Sequence, residues 1–545
     1  MNMKPINKRT NIYLLSGLLA GVLLFSVACT KSYKDTNTDK NSIPTVTPAT
    51  LPFLFSHAQE VGTVNQGNYQ IAQNLFADQY AQYFACEATY FGSDRLVINQ
   101  AWVGANFNPY YTDVVPQLQT IFANTDSMSA EHAMAEVVWV LTLMKATDYW
   151  GPILYFSAGT FASSVPYDPQ DKIYADFFHR LDGAIAVLTP KAGGTSVFTS
   201  YDLFYQGNIS KWIKFANTLR LRLALRVSKA DPATAKTEAE ASVAAGVMTT
   251  SPADDCFVER SATGNDINGL STMSDWNEFR MSATMASVLK GYQDPRIAQY
   301  FLPTANSGVP TPGIFANYTG LRNGLSVAEQ GMPQNLAAAN SHQGQRWSST
   351  GVTVGGTIVG EASYTSTPQN VIETAEAYFL RAEGALLGWN MGGTAQSLYE
   401  SGIKNSMAQW GITDATAVNT YVASPATPTN PGSFATTAPV SNVPIAWSSD
   451  PTMQLKQIMT QKWLALYPDG MEAWADYRRS HVLPLYPVVH SDNPLIPDPT
   501  SKWLRRIPFL LTEHQTNAAA VQAATSLLST GVDNELTPLW WDKNP

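Results

Sequence analysis

Tyr90, Trp102, Trp276, Tyr318 and Trp347 stand in polar stretches of the chain rather than inside apolar stripes. Tyr90 and Phe91 precede Arg95, Trp102 is followed by Asn106 and Asn108, Trp276 lies between Asp275 and Asn277, and Trp347 follows Arg346. Flat rings beside amides, carboxylates and guanidinium groups suit sugar recognition. A ring stacks on the apolar face of a pyranose while the polar neighbours take its hydroxyls, and the ring loses little conformational entropy in doing so. A peptide would use the same loops with more backbone hydrogen bonding. The candidate ligand-binding residues are therefore Tyr90, Arg95, Trp102, Asn106, Trp276, Asn277, Tyr318 and Trp347. Taken singly, a loop aromatic more often tucks onto the body than meets a ligand. The expectation is that two or three of the group line one groove.

Catalytic constellations are not found. The seven histidines are His57, His132, His179, His342, His481, His490 and His514; no two are four apart and none forms His-Glu-x-x-His, so a zinc hydrolase of that type is unsupported. No Gly-x-Ser-x-Gly elbow occurs. Gly355, Gly356 and Gly360 follow no strand pattern and open no helix, so they read as a flexible loop rather than a phosphate cradle. A carboxylate pair for glycoside hydrolysis forms in space and leaves no sequence mark, which keeps a surface hydrolase as an alternative. Asp254-Asp255 and the stretch with Asp266, Asn268 and Asp275 carry the oxygen ligands that calcium uses. Their spacing completes no EF-hand loop, and turn chemistry accounts for most such runs. Asp266, Asn268 and Asp275 are weak calcium candidates, and no cofactor is expected.

The elements that must position these loops are mostly helices. Leu51–Glu60 and Tyr69–Ala85 carry apolar and aromatic residues at helical spacing. Met134, Val137, Val138, Leu141 and Met144 make a stripe that Gly151-Pro152 must end. Asp168-Pro169 resembles a helix cap before Ile173, Phe177, Leu181, Ile185 and Leu188. Lys211–Val227 turns Trp212, Phe215, Leu219 and Leu223 inward and also holds Arg220, Arg222 and Arg226. Three guanidinium groups cannot be left unpaired in a core, so carboxylates of neighbouring helices are expected to meet them. Ser251–Glu361 is rich in Gly, Ser, Asn, Thr and Pro, with one helical patch at Asn277–Tyr292. Val371–Leu387 and Ala395–Trp410 form a helical hairpin with small residues at its crossing, like one unit of a solenoid. Gln454–Trp474 is a last long helical segment, interrupted at Pro468-Asp469-Gly470, and the chain from Pro484 on is Pro-rich and irregular.

At the other end, Lys4, Lys8 and Arg9 precede an apolar run, Ile12–Ala28, that closes on Ser26-Val27-Ala28-Cys29. The run is short for a span, which takes roughly 20 residues, and it has the layout of a secretory signal. Small residues before a cysteine resemble a bacterial lipobox, with Ser26 where a Leu is usual. Cys29 would then be acylated and become the first residue of the mature protein. Acyl chains insert at roughly 0.8 kcal/mol per buried methylene. Thr30–Thr50 reads as a flexible tether with a reach of roughly 25 Å.

The 545 residues alone would suit three or four domains. Hydrophobic residues make up 45% and charged ones 14%, which describes a globular chain with an ample core. The leader holds three of the 34 basic residues, and without them 31 basic residues face 43 acidic ones, a balance of about −12. That argues against nucleic acid and against a strongly acidic ligand. Apart from Cys29 only Cys86 and Cys256 remain, enough for one disulfide and too few for a framework. No Cys-x-x-Cys is present for zinc.

Several stretches together resemble the SusD/RagB family of Bacteroidetes outer-membrane lipoproteins, in its SusD-like nutrient-binding branch. They are Cys29 with Asn37-Thr38-Asp39, Thr147–Pro152, Val165–Gln170 with Ile173-Tyr174, and Tyr205–Asn208 with Lys211-Trp212 and Phe215–Arg222. Gly291–Arg296, Ala375–Glu383 with Gly388-Trp389, and Tyr399–Ile403 follow. Gln461–Leu466 with Glu472-Ala473-Trp474 and Arg478-Arg479 is the strongest match, and Arg505–Pro508 and Trp540-Trp541-Asp542 close the chain. The resemblance implies a mainly α fold: a tetratricopeptide-like helical-hairpin scaffold with a loop-rich inserted lobe. It implies a signal at residues 1–28, a lipidated Cys and tether at 29–50, and one body at 51–545. Within the body, the scaffold would be 51–250 and 370–480, the ligand lobe about 251–361 and an irregular segment 484–545. It further implies a non-enzymatic lipoprotein on the cell surface, anchored to the outer-membrane bilayer through Cys29. Such a protein captures an oligosaccharide, or in some members an oligopeptide, for a separate SusC-like TonB-dependent transporter.

Overall fold

The computed structural model describes residues 46–544 except 65–66, 161, 163, 262–265, 306–313, 350–351, 355–356, 360–363 and 435–437. The leader, Cys29 and most of the tether lie outside the described residues. The chain divides into two compact units, Met1–Leu51 and Pro52–Pro545.

The described residues fold mainly as helices. α1 spans Leu51–Gly62, α2 Ala130–Trp150, α3 Gln170–Leu188, α4 Ile209–Arg226 and α5 Pro232–Ala245. α6 (Gly269–Ser274) and α7 (Ala283–Gly291) follow in the middle, then α8 (Thr374–Leu386), α9 (Ala395–Gln409), α10 (Pro451–Leu466), α11 (Gly470–Ser480) and α12 (Ala518–Leu527). Neighbours in sequence pack as neighbours in space: α2 on α3, α3 on α4, α4 on α5 and α8 on α9. α8 also packs on α4 and α10, which joins the two runs of hairpins into one scaffold.

Local chemistry sets the helix ends. Ser129 caps α2 by accepting from His132 N–H at 3.2 Å, and Asn208, Asp231, Ser282, Thr394, Asp450 and Asp469 cap later helices in the same way. α2 stops where Gly151 takes φ +86°. The hairpin α8–α9 crosses at Gly402, where a Cβ would come within 2.7 Å of the Phe379 ring. Only a glycine permits that approach.

Four expectations are corrected. Asp168 does not cap α3, which starts after Pro169 without a side-chain cap; its carboxylate instead accepts from the N–H groups of Tyr155 and Phe156 at 3.1 and 2.8 Å. The helix expected over Tyr69–Ala85 is a π-helix at Gln70–Asp78 that gives way to strand β1, Phe84–Cys86. The patch at Asn277–Tyr292 begins as a strand too. With β2 at Cys256–Val258, that strand is β3, Phe279–Met281, and it pairs antiparallel with β1 before Ser282 caps α7. Backbone pairing between distant segments overrides helical spacing here. The segment from Pro484 on holds the helix α12. Short strands β4 (Val352–Val354) and β5 (Thr357–Val359) form a hairpin, and β6 (Gln369–Ile372) pairs with β2. Cys86 and Cys256 lie in different two-stranded sheets, and both are free and buried.

The scaffold is tied by buried charges. Arg222 holds Glu376 through Nε at 2.7 Å and Nη2 at 2.5 Å. Arg226 reaches Asp148 at 3.2 Å and Glu472 at 2.5 Å, and Asp148 also accepts from Tyr174 and from the Trp541 indole at 2.5 and 2.8 Å. Arg220 pairs with Asp182 and Glu238 at 2.7 and 2.6 Å. Arg479 binds Glu383 and Asp476, which Lys462 approaches at 3.2 Å. Arg296 joins Asp294 to Gln461, and Arg506 donates to the Trp150 carbonyl at 2.8 Å. Burial holds Glu376 and Asp148 above the ordinary carboxylate range, against the guanidinium groups beside them. At Asp476 burial acts the same way, but Lys462 and Arg479 outweigh it and hold the carboxyl well below that range.

Candidate functional site

The pairing of β1 with β3 brings two loops side by side. Cys86 stands opposite Phe279, and the carbonyl of Glu278 accepts from the N–H groups of Glu87 and Ala88 at 2.9 and 3.2 Å. The loop after β1, with Tyr90 and Phe91, therefore lies against Trp276-Asn277-Glu278. The side chains lock the same contact. Tyr90 donates its hydroxyl to one carboxylate oxygen of Glu278, and Gln70, from the π-helix, donates its amide to the other. Losing that donation on ionisation pushes the Tyr90 phenol up to about 12. Asn277 takes φ +58°, and its Oδ1 accepts from Arg280 Nη2 at 3.1 Å.

Two large rings are left facing solvent, Tyr90 at 70% exposure and Trp276 at 52%. Tyr90 meets Phe91 edge-on at 4.6 Å, and Phe91 meets Trp102 edge-on at 5.6 Å. Phe91 sinks into a small core with Leu75 and Cys86, and Trp102 packs half-buried against the same core. The result is an aromatic strip, Trp102–Phe91–Tyr90, whose outer ring is bonded to Glu278, two residues after the exposed Trp276. Its polar groups are a carboxylate and two amides. Phe91 and Trp102 stand on a hydrophobic footing and Tyr90 is held by Glu278, so these three rings have little freedom left to lose on binding.

Of the eight candidate ligand residues, Tyr90 and Trp102 are thus brought together, and Trp276 and Asn277 stand on the loop that Glu278 bonds to theirs. The other four are not. Arg95 is 7% exposed and bonds Asp492 at 2.6 Å. Asn106, in a short helix at Gly104–Pro109, donates to the Ala72 carbonyl at 3.0 Å. Tyr318 is buried, and Trp347 packs between Trp410 and Tyr467 with centroids 5.8 and 5.6 Å away. In each case the loop folds onto the body and uses the side chain as its anchor. Glu278 and Gln70 were missed. A carboxylate two residues after a loop tryptophan was a visible hint for Glu278, but Gln70 stands 208 residues away and carries no local sign.

The calcium candidates are already engaged. Asp266 pairs with Arg260 at 2.7 Å. Asn268 caps α6 and donates to the Thr367 carbonyl, and Asp275 accepts from Ser349 N–H at 3.0 Å. Among the described residues, no three His, Cys, Asp or Glu side chains gather as a metal site would need. No helix among them is long and apolar enough to cross a membrane.

Comparison with known proteins places the chain. The family model for SusD-like proteins, described as Susd and RagB outer membrane lipoprotein, matches residues 33–542. A chitin-binding SusD homolog from Flavobacterium johnsoniae is 34% identical, with a TM-score of 0.79 over 91% of this chain and 99% of that one. A SusD-like protein from Bacteroides thetaiotaomicron is 30% identical at a TM-score of 0.78, covering 91% and 99%. A homolog from Bacteroides ovatus is 30% identical at 0.79, covering 92% and 100%. No curated protein matches.

Proposed function

Because the chain belongs to the SusD-like family of Susd and RagB outer membrane lipoproteins, we propose that it is a glycan-capture protein whose ligand lies along the Tyr90–Trp276 strip. The observation that carries this reading is the exposed Tyr90 ring bonded to Glu278, which Gln70 also holds, on a loop that presents the exposed Trp276. A sugar chain would stack on the rings and give its hydroxyls to Glu278 and Asn277. The chitin-binding relative makes oligomers of N-acetylglucosamine the first ligands to try.

In this reading Cys29 carries the acyl anchor, the tether holds the body off the lipid, and a SusC-like TonB-dependent channel receives the captured glycan. The protein binds and does not cleave. The test is a glycan and peptide array with the soluble form that starts after Cys29, alongside analysis of the ligand after incubation. Intact glycan, bound by the wild type and lost with Trp276→Ala, supports the reading. Binding to peptides that ignores Trp276 would replace the ligand class, and cleaved glycan would replace the function.

A further inference from the structure

A pocket of about 240 Å³ opens between the end of the π-helix and the loops after α11. None of the eight candidate ligand residues lines it. Gln79 and Tyr80 enter it from the π-helix end, Tyr477 and His481 from α11 and its end, and Trp503 from the loop beyond. The His481 ring lies flat on the Trp503 indole, 3.8 Å away and 18° from parallel.

The polar groups of the pocket are unusual. Gln79 is 2% exposed and Tyr80 8%, yet neither end of the Gln79 amide nor the Tyr80 hydroxyl has a hydrogen-bond partner, and the Trp503 indole N–H has none either. Buried polar groups are as a rule paired, and unpaired ones call for an explanation. Gln82, on the same wall, is fully used: it donates to the Tyr486 carbonyl at 2.6 Å and accepts from Thr284. The unpaired groups, Asp94 Oδ1 among them, therefore belong to residues of one lining, among aromatic side chains. They offer both donors and acceptors. The charged side chains of the lining, Asp94 and Lys502, are of opposite sign, so no net charge selects an ion.

We propose that this pocket is a second ligand site, separate from the aromatic strip, that takes one neutral pyranose unit through Gln79, Tyr80 and Trp503. Pockets for larger ligands run from roughly 300 Å³ upward, so the space suits a single ring and not a chain. Glucose and N-acetylglucosamine share the needed chemistry. The ring is either a free monosaccharide or the end unit of an oligomer.

The experiment is ligand-observed NMR titration of the mature soluble protein with glucose, N-acetylglucosamine and chitotriose, on the wild type, Gln79→Leu, Tyr80→Phe and Trp276→Ala. Gln79→Leu and Tyr80→Phe replace an unpaired buried polar group by an apolar one of similar shape, which folding tolerates, and melting temperatures check that they do. The expected result is monosaccharide binding that weakens tenfold or more in Gln79→Leu and Tyr80→Phe, whether these are made in the wild type or on top of Trp276→Ala. Chitotriose weakened by Gln79→Leu identifies an end unit, and chitotriose indifferent to it identifies the free sugar. If no sugar responds to Gln79 or Tyr80 at the highest soluble concentration, the pocket proposal is overturned. In that case a loss confined to Trp276→Ala leaves the strip standing. Chitotriose that is weakened by the pocket variants and bound equally well by Trp276→Ala overturns the strip instead.

Discussion

The scaffold and the aromatic strip use charge in opposite ways. In the scaffold, ion pairs such as Arg222–Glu376 are removed from water, each partner at 1% exposure. At the strip, the Glu278 carboxylate is steadied by neutral donors, Tyr90 and Gln70. Desolvating a pair offsets most of its Coulomb gain, so a buried pair mainly dictates which helices meet, whereas losing one partner leaves a charge stranded. Among the described residues, the strip's carboxylate has no buried cation to strand. In this molecule the buried charges that lie in the family-like stretches and the residues of the proposed ligand strip are separate sets.

The scaffold's dependence on its buried pairs is greatest at Glu376. Glu376→Ala strands Arg222, whose next carboxylate, Glu472, is 3.7 Å away, and is expected to cost about 3–5 kcal/mol in urea unfolding. The double change Arg222→Met with Glu376→Leu should recover most of that loss. If the single change costs no more than the double, the pair does not work as described.

A pH series tests the same burial at Asp78. Desolvation pushes its carboxyl up to about 7, against hydrogen bonds from Gln73 and Tyr69. The folded state then keeps a proton that the unfolded chain releases near pH 3.9. Stability from this group is full below about pH 4 and is lost as pH rises toward 7, at no more than about 1.4 kcal/mol per pH unit. Asp94, pushed up to about 6 by burial, acts in the same sense. Asp78→Asn is expected to flatten the slope between pH 4 and 7, read by thermal melts across that range.

Gly470 comes next. A Cβ there would meet Asp78 Oδ1 at 2.1 Å and its Cα at 2.6 Å, so Gly470→Ala must push α11 off the π-helix. The cost expected is about 1–3 kcal/mol, the usual range for overpacking.

The smallest effect belongs to the strip. Tyr90→Phe keeps the ring and removes the hydroxyl that holds Glu278. Glycan affinity should fall only a few-fold, the equivalent of about 0.5–1.5 kcal/mol for one hydrogen bond, and the melting temperature should not move.

Much of the scaffold was legible because its signals are local. The stripe Met134–Met144, the hairpin at Gly402 and the break at Pro468-Asp469-Gly470 each follow from spacing within a few residues. The pairing of Arg220, Arg222 and Arg226 with carboxylates followed from their burial alone. The scattered stretches that resemble the family turn out to converge: Asp148, Tyr174, Arg226 and Trp541 meet at one carboxylate. The partners themselves were not legible, because Asp148 and Trp541 are 393 residues apart. The strands of three residues were hidden for the same reason, since only β1 opposite β3 makes either a strand. At the site, the sequence marked aromatic rings in polar loops but could not say which loops fold back. Trp347 and Trp276 look alike in sequence, and one is buried on Tyr467 while the other faces solvent.

The most direct test of the ligand face is a calorimetric titration of chitotriose, or of whichever glycan the array selects, into the wild type, Trp276→Ala, Tyr90→Ala and the double variant, with a thermal melt of each. Each single change is expected to weaken binding about tenfold or more, roughly 1.4 kcal/mol, with melting unchanged to within the small effects of surface substitutions. Affinity that survives both changes, or that falls only as the fold itself is lost, would contradict the assignment of the strip.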